Sequence, residues 1–325
     1  MRALLCGFLV GVIGCGDDGG AVTPLDAAPD APPDAPPDAP PPPLGHRHYV
    51  ISELRVPTSN NVARDYALDL DSDGIVDNQL GMVIATFSTM GFPVQAGYAR
   101  AIDQGNSITL VDLTADDLTT DTTATLALFK GTNAMPIPCN GAADLACRRH
   151  LTGTGTFLAA TTPVNASLAG AIMAGTLTAG PGQLTIDLVF NGAMPVAVTL
   201  LGARVKASSI SQAAIGTLIL AGAVSQTDID TKIIPAMRDG FAANVAADCT
   251  ALTNPPTCGC ASGSNGRTYL DLFDTAPRDC AISVAEVRDN SLIQSLLAPD
   301  VTINNVMGLS IGVSASAVPA GFVAP

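Results

Sequence analysis

Apolar and polar residues alternate through Gln183-Leu184-Thr185-Ile186-Asp187-Leu188-Val189-Phe190, the period of a strand with one face in a core. Thr176-Leu177-Thr178 precede it across Ala179-Gly180-Pro181-Gly182, which reads as a turn, so the pattern predicts a hairpin. Further strands are predicted at His48 to Val56, Ser107 to Leu113, Thr123 to Phe129, His150 to Ala159, Pro195 to Ala207 and Gly216 to Ala223, all rich in Val, Ile, Leu and Thr. The period changes twice. Leu80 to Phe87 has helical spacing, and from Thr227 the residues Ile229, Ile233, Met237, Phe241 and Val245 recur every fourth position, marking a helix that Pro235 is expected to kink. Thr268 to Leu297 reads as two helices around an acidic loop. The expected fold is α+β: one large domain over residues 44–325, dominated by an antiparallel sheet, sandwich or barrel-like, with a few helices.

Residues 1–43 have no such pattern. Met1-Arg2 is followed by an apolar run of eleven residues, Ala3 to Ile13, too short for a span of about 20 and built like a secretory signal. The run ends Val12-Ile13-Gly14-Cys15, which resembles a bacterial lipobox. That resemblance implies a signal peptide over residues 1–14, a lipid on Cys15 that anchors the chain to a membrane, and, with Gly16 rather than Asp next, sorting to the outer membrane or cell surface. From Pro24 to Pro43 the chain is Pro, Ala and Asp, with Asp26, Asp30, Asp34 and Asp38 recurring at every fourth residue. Such a segment forms no core. It is expected to form a solvated stalk over residues 15–43, whose twenty residues from Pro24 to Pro43 reach roughly 60 Å as polyproline II at about 3.1 Å per residue.

Charge and cysteine usage narrow the class. Of a formal net charge of −14, six aspartates and one arginine lie in residues 1–43, leaving 23 acids against 14 bases in the domain. A nucleic-acid partner needs a basic footprint, so none is expected. The chain has no Trp and few aromatics, so no anchor identifies a protein or polysaccharide partner. Besides Cys6 and Cys15, six cysteines remain, an even number in an exported chain and hence a framework of three disulfides. Cys139 and Cys147 are expected to pair around a small polar lobe, and Cys249, Cys258, Cys260 and Cys280 to form two bridges of open connectivity. A thiolate metal site at Cys258-Gly259-Cys260 is the competing reading, weakened by the absence of a nearby histidine.

The strongest chemical motif is Asp69-Leu70-Asp71-Ser72-Asp73-Gly74-Ile75-Val76-Asp77, with carboxylates at positions 1, 3, 5 and 9 and glycine at 6, as in an EF-hand or thrombospondin type-3 loop. Such a loop would take calcium on Asp69, Asp71, Asp73, Asp77 and the Ile75 carbonyl, with Val76 facing the core. Leu80 replaces the usual bidentate glutamate, so other groups must complete the shell. A second stretch, Leu272 to Val287, resembles a degenerate EF-hand, with Asp274, Asp279, Ser283 and Glu286 as ligands; it is one residue too long and has Cys280 where glycine belongs. Ser283 and Glu286 equally fit a capping box. Together these features resemble bacterial surface lipoproteins with a D-x-D-x-D-G loop, a likeness that implies anchoring and an ion but no reaction.

Enzyme-like patterns are weak. Gly308-Leu309-Ser310-Ile311-Gly312 fits a nucleophile elbow, yet no histidine follows His150. His46 and His48 form an H-x-H pair at the stalk junction, and with one further histidine in the chain no transition-metal site is expected there. Three functions remain: a calcium-stabilised structural or adhesive surface module, a secreted hydrolase using a carboxylate pair, and a carrier of an apolar ligand. An enclosed acidic cleft would favour the hydrolase, a sealed core the module and a large apolar cavity the carrier.

Overall fold

The computed structural model describes residues 45–89, 94–141, 144, 147–163, 165–190, 195–255 and 257–325. The signal peptide, Cys15 and the stalk lie outside them. Ten strands are described: β1 (His46–Arg55), β2 (Thr109–Thr114), β3 (Thr125–Met135), β4 (Gly155–Ala159), β5 (Leu168–Met173), β6 (Thr176–Leu188), β7 (Val196–Ser211), β8 (Ala214–Ser225), β9 (Val301–Ile303) and β10 (Val306–Gly321). Helices α1 (Asn60–Asp65), α2 (Gln79–Thr89) and α3 (Val94–Asp103) fall between β1 and β2. Between β8 and β9 come α4 (Gln226–Asp228), a π-turn (Ile229–Ile233), α5 (Ile234–Asp248), α6 (Asn265–Phe273), α7 (Val284–Asp289) and α8 (Ser291–Leu296).

The ten strands form one dominant sheet, antiparallel apart from the short β4–β10 contact. Its pairings run β1–β2–β3–β5–β6–β7–β8–β10 and return from β10 to β1, closing an eight-stranded barrel, while β4 bridges β3 and β10. Closure removes the open edges that a sheet would otherwise expose to other chains. Facing pairs such as Leu184 with Leu200 and Ile186 with Val198 are buried, whereas the alternate positions carry Gln183, Thr185, Asp187 and Lys206. An apolar interior with a polar exterior is the reverse of a lipid-facing barrel. Among the described residues no helix is long and apolar enough to cross a membrane.

Small residues let β10 lie between two layers. Leu309, Ile311, Val313, Ala315 and Ala317 alternate with Ser310, Gly312, Ser314 and Ser316, and residues 308–315 are all buried. A Cβ on Gly312 would stand 2.1 Å from the Tyr66 carbonyl oxygen, so only glycine allows the chain between α1 and α2 to press against this strand. Asn78 fastens the contact. Its amide donates to the Ala63 and Gly312 carbonyls (2.8 and 2.9 Å), and its Oδ1 accepts from the Gly81 and Gly312 N–H groups (2.9 and 2.7 Å).

Four expectations are corrected. Ala179-Gly180-Pro181-Gly182 is not a turn: β6 runs through it with a bulge, and β7 shifts register against β8 near Gly202, so the two strands bend together around the barrel. The turn is Ala174-Gly175, both with positive φ, joining β6 to the unforeseen β5. His150 to Ala159 splits into a 3₁₀ turn (Arg149–Leu151) and β4, because Gly153 turns the chain at φ +90°. The helix starting near Thr227 is not α throughout: it widens into a π-turn over Ile229–Ile233 just before Pro235, which sits in the first turn of α5. The C-terminal helices number three, since Asn290 ends α7 and caps α8 by accepting from the Leu292 and Ile293 N–H groups.

The disulfides are Cys139–Cys147, Cys249–Cys260 and Cys258–Cys280. The last two staple α5 and α6 to the loop that enters α7, beside the stacked rings of Phe241 and Phe273. Cys258 and Cys280 are 22 residues apart, and a loop of that size corresponds to about 3 kcal/mol of lost denatured-state entropy. The Cys258→Ser/Cys280→Ser protein is expected to unfold at lower denaturant by about that amount, and alkylation of the unreduced wild type to label none of the six cysteines. Two or more labelled thiols would refute the framework.

Candidate functional site

The chain leaving α1 makes an isolated antiparallel bridge, Leu68 with Asp77, that pinches residues 69–76 into a loop. The Asp77 N–H donates to the Leu68 carbonyl at 3.0 Å. Leu68 and Leu70 pack on Ala221, Ala223, Val301 and Ile303, a small second core on the outside of the barrel. The carboxylates turn inward on the loop. Asp69 accepts from the Ser72 and Gly74 N–H groups, Asp71 from Asp73, Asp73 from Ile75 and Asp77 from Leu70, at 2.7 to 3.3 Å. Gly74 has φ +88° with open space around it, so backbone conformation rather than crowding requires glycine there.

Asp69, Asp71 and Asp77 each bring one oxygen into a common group with all separations within 4.8 Å, a set that could hold a metal ion. Asp73 is not part of that group. Burial raises the Asp77 pKa above its ordinary value, the Leu70 N–H opposes it, and the charges of Asp71, Asp300 and Asp73 add to the rise. The loop thus gathers more negative charge than it neutralises. Val76 does not face the core: it is 49 % exposed and Ile75 66 %. The Leu68–Asp77 bridge gives the buried position to Leu70 and a half-buried one to Leu68 instead. Leu80, in the place of the twelfth-position glutamate, is buried at the start of α2.

The second EF-hand-like stretch is built differently. The buried Asp274 carboxylate accepts from the Asp279 and Cys280 N–H groups, both at 3.1 Å. Glu286 accepts from Thr275 and from the Ser283 N–H, while the Ser283 hydroxyl accepts from the Glu286 N–H, completing a capping box at α7. These bonds hold the Glu286 pKa below its ordinary value even though burial, the largest single influence, pushes it up. Among the described residues Asp274, Asp279 and Glu286 do not converge as a ligand group. Their oxygens cap backbone amides, and the Cys258–Cys280 bridge holds the loop.

The H-x-H pair is part of a further cluster. His46 and His48 lie on one face of β1, His48 is paired with Asp112 of β2, and His46 with Thr114. His46 Nδ1 is 3.0 Å from both Asp112 oxygens, and His48 Nε2 is 3.6 Å from Oδ1. The His48 ring stacks on Phe322 at 4.3 Å. Burial lowers the His48 pKa, with the Asp112 charge opposing and His46 reinforcing the shift. The cluster's third member, Asp112, comes from a strand 64 residues beyond His48, so counting histidines does not reveal it. A single aspartate in the otherwise apolar Leu110-Val111-Asp112-Leu113 was the available signal.

Ser310 of the G-x-S-x-G match is buried within β10 and donates its hydroxyl to Asp300, which excludes it as an exposed nucleophile. A small, partly open pocket between α3 and the sheet, lined by Ile51, Tyr98, Ile102, Ser107, Asp187 and Leu220, measures about 10 Å³, room for one water. No protein-family model, curated protein or solved structure matches this chain.

Proposed function

We propose that the chain is an exported, lipid-anchored surface module of structural or adhesive type whose barrel is stabilised by calcium at Asp69 to Asp77. The observation that carries this reading is the convergence of Asp69, Asp71 and Asp77 on one point of a pinched loop. Three oxygens from hard carboxylates suit calcium, which takes six to eight oxygen ligands, and the Ile75 carbonyl, Asp73 or waters supply the others. The buried Leu184, Ile186, Val198 and Leu200 of the sheet support a packed module over a carrier, and the small pocket under α3 has room for one water only.

With the bidentate glutamate replaced by Leu80, binding is expected in the extracellular range, about 10⁻⁴ to 10⁻³ M. Calcium at 10 mM would then add about 1.4 to 2.7 kcal/mol by mass action, a rise of a few °C in melting temperature. The test is a thermal melt of the full-length protein in calcium and in chelator. Asp71→Ala, at an exposed position, should remove the calcium-dependent rise and melt no lower than wild type in chelator, because one like charge has gone. Equal melting of the wild type with and without calcium would overturn the reading.

A further inference from the structure

We propose that His46, His48 and Asp112 form a binding site for a divalent transition ion of the zinc class. Side chains at i and i+2 share a face of a strand, and a directly paired residue on the next strand points the same way, so these positions on β1 and β2 converge because of register alone. Zinc binds imidazole nitrogen and carboxylate oxygen at about 2.0 to 2.2 Å, which places two ligands of a tetrahedral site roughly 3.4 Å apart. The observed nitrogen–oxygen separations of 3.0 and 3.6 Å bracket that value.

The surroundings fit an ion as well. Asp112 is 6 % exposed, and its carboxylate meets two imidazoles rather than a lysine or arginine. A buried carboxylate is costly unless a cation or metal compensates it. Phe322 fixes the His48 ring by stacking, so the site sits on rigid strands and needs little ordering. A cleft of about 460 Å³, lined by His46, Asp112, Thr125, Phe129, Ser167 and Pro325, opens on the cluster and leaves room for water or another ligand in a fourth position. Two imidazoles select zinc, copper, nickel or cobalt over calcium, which prefers oxygen donors. The site is thus chemically distinct from the acidic loop and does not depend on what that loop binds.

Cobalt(II) reports the geometry directly. The full-length protein, stripped by chelator, should take up one equivalent of Co²⁺ with the intense visible bands of a low-coordinate site, and Zn²⁺ should displace it. His46→Gln and His48→Gln should each weaken binding by more than about 100-fold, beyond the 10- to 100-fold typical of losing an outer-shell partner. Asp71→Ala should leave the spectrum unchanged. If circular dichroism shows that His48→Gln perturbs the fold, His46→Gln decides the matter, since that ring is 33 % exposed. Absence of the bands, binding that survives in the double histidine variant, or binding lost in Asp71→Ala would each overturn the proposal.

Discussion

Asn78→Ala is expected to lower the unfolding free energy by about 4 kcal/mol, read as an earlier midpoint in urea with an unchanged slope. Asn78 is 3 % exposed and makes four hydrogen bonds, two donated to carbonyls of Ala63 and Gly312 and two accepted from N–H groups of Gly81 and Gly312. Alanine removes all four and leaves the backbone groups buried. Each such orphan costs about 1 to 3 kcal/mol, and partial relaxation toward water brings four of them to the stated total. Loss of helix capping at Gly81 is included in that figure. Asn78→Asp retains the acceptor but turns a carboxylate oxygen toward two carbonyls, so it should be no milder. A loss below about 1 kcal/mol in both variants would show that β10 does not depend on this residue.

The same residue joins the acidic loop to the barrel. Asp77 is its neighbour, and the next residue, Gln79, donates its N–H to Ser310, whose N–H and hydroxyl are held by Asp300. An ion at Asp69, Asp71 and Asp77 would therefore act on the segment that clamps α2 against β10. Calcium would stabilise the barrel by ordering a contact it does not itself touch.

How much of this was legible depended on where the pattern was local. β7 and β8 were readable because buried Val198, Leu200 and Val205 alternate with polar or small neighbours. β10 was overlooked although Leu309, Ile311, Val313, Ala315 and Ala317 alternate just as strictly. Its intervening Ser and Gly residues suggested a nucleophile motif, whereas they are small because helices press on that face. Gly180-Pro181-Gly182 misled for the opposite reason: turn chemistry in the middle of a long strand serves a barrel bend, and only the register of β7 shows it. The acidic loop is local, so its spacing points to Asp69, Asp71 and Asp77, although it points equally to Asp73, which stands outside the converging group. The His46, His48 and Asp112 cluster was not, because strand pairing between distant segments creates it.

Cys15→Ser is expected to move the protein from the membrane fraction to the soluble fraction almost completely. Val12-Ile13-Gly14-Cys15 resembles a lipobox, and acyl chains on Cys15 would supply the anchoring energy. Each buried methylene contributes about 0.8 kcal/mol, one chain gives only marginal reversible binding, and a diacylated, N-acylated cysteine places three chains in the bilayer. Among the described residues no helix is long and apolar enough to cross, the barrel exterior carries Thr, Asp and Lys, and the segment from Pro24 to Pro43 is acidic. Serine cannot accept the thioether-linked glycerolipid, so the stalk and barrel would leave together as a soluble product. Fractionation of cells grown with labelled palmitate checks both halves of the argument, since the wild type should carry label and pellet while the variant does neither. An unlabelled wild type, or a variant that still pellets, would show that Cys15 is not the anchor.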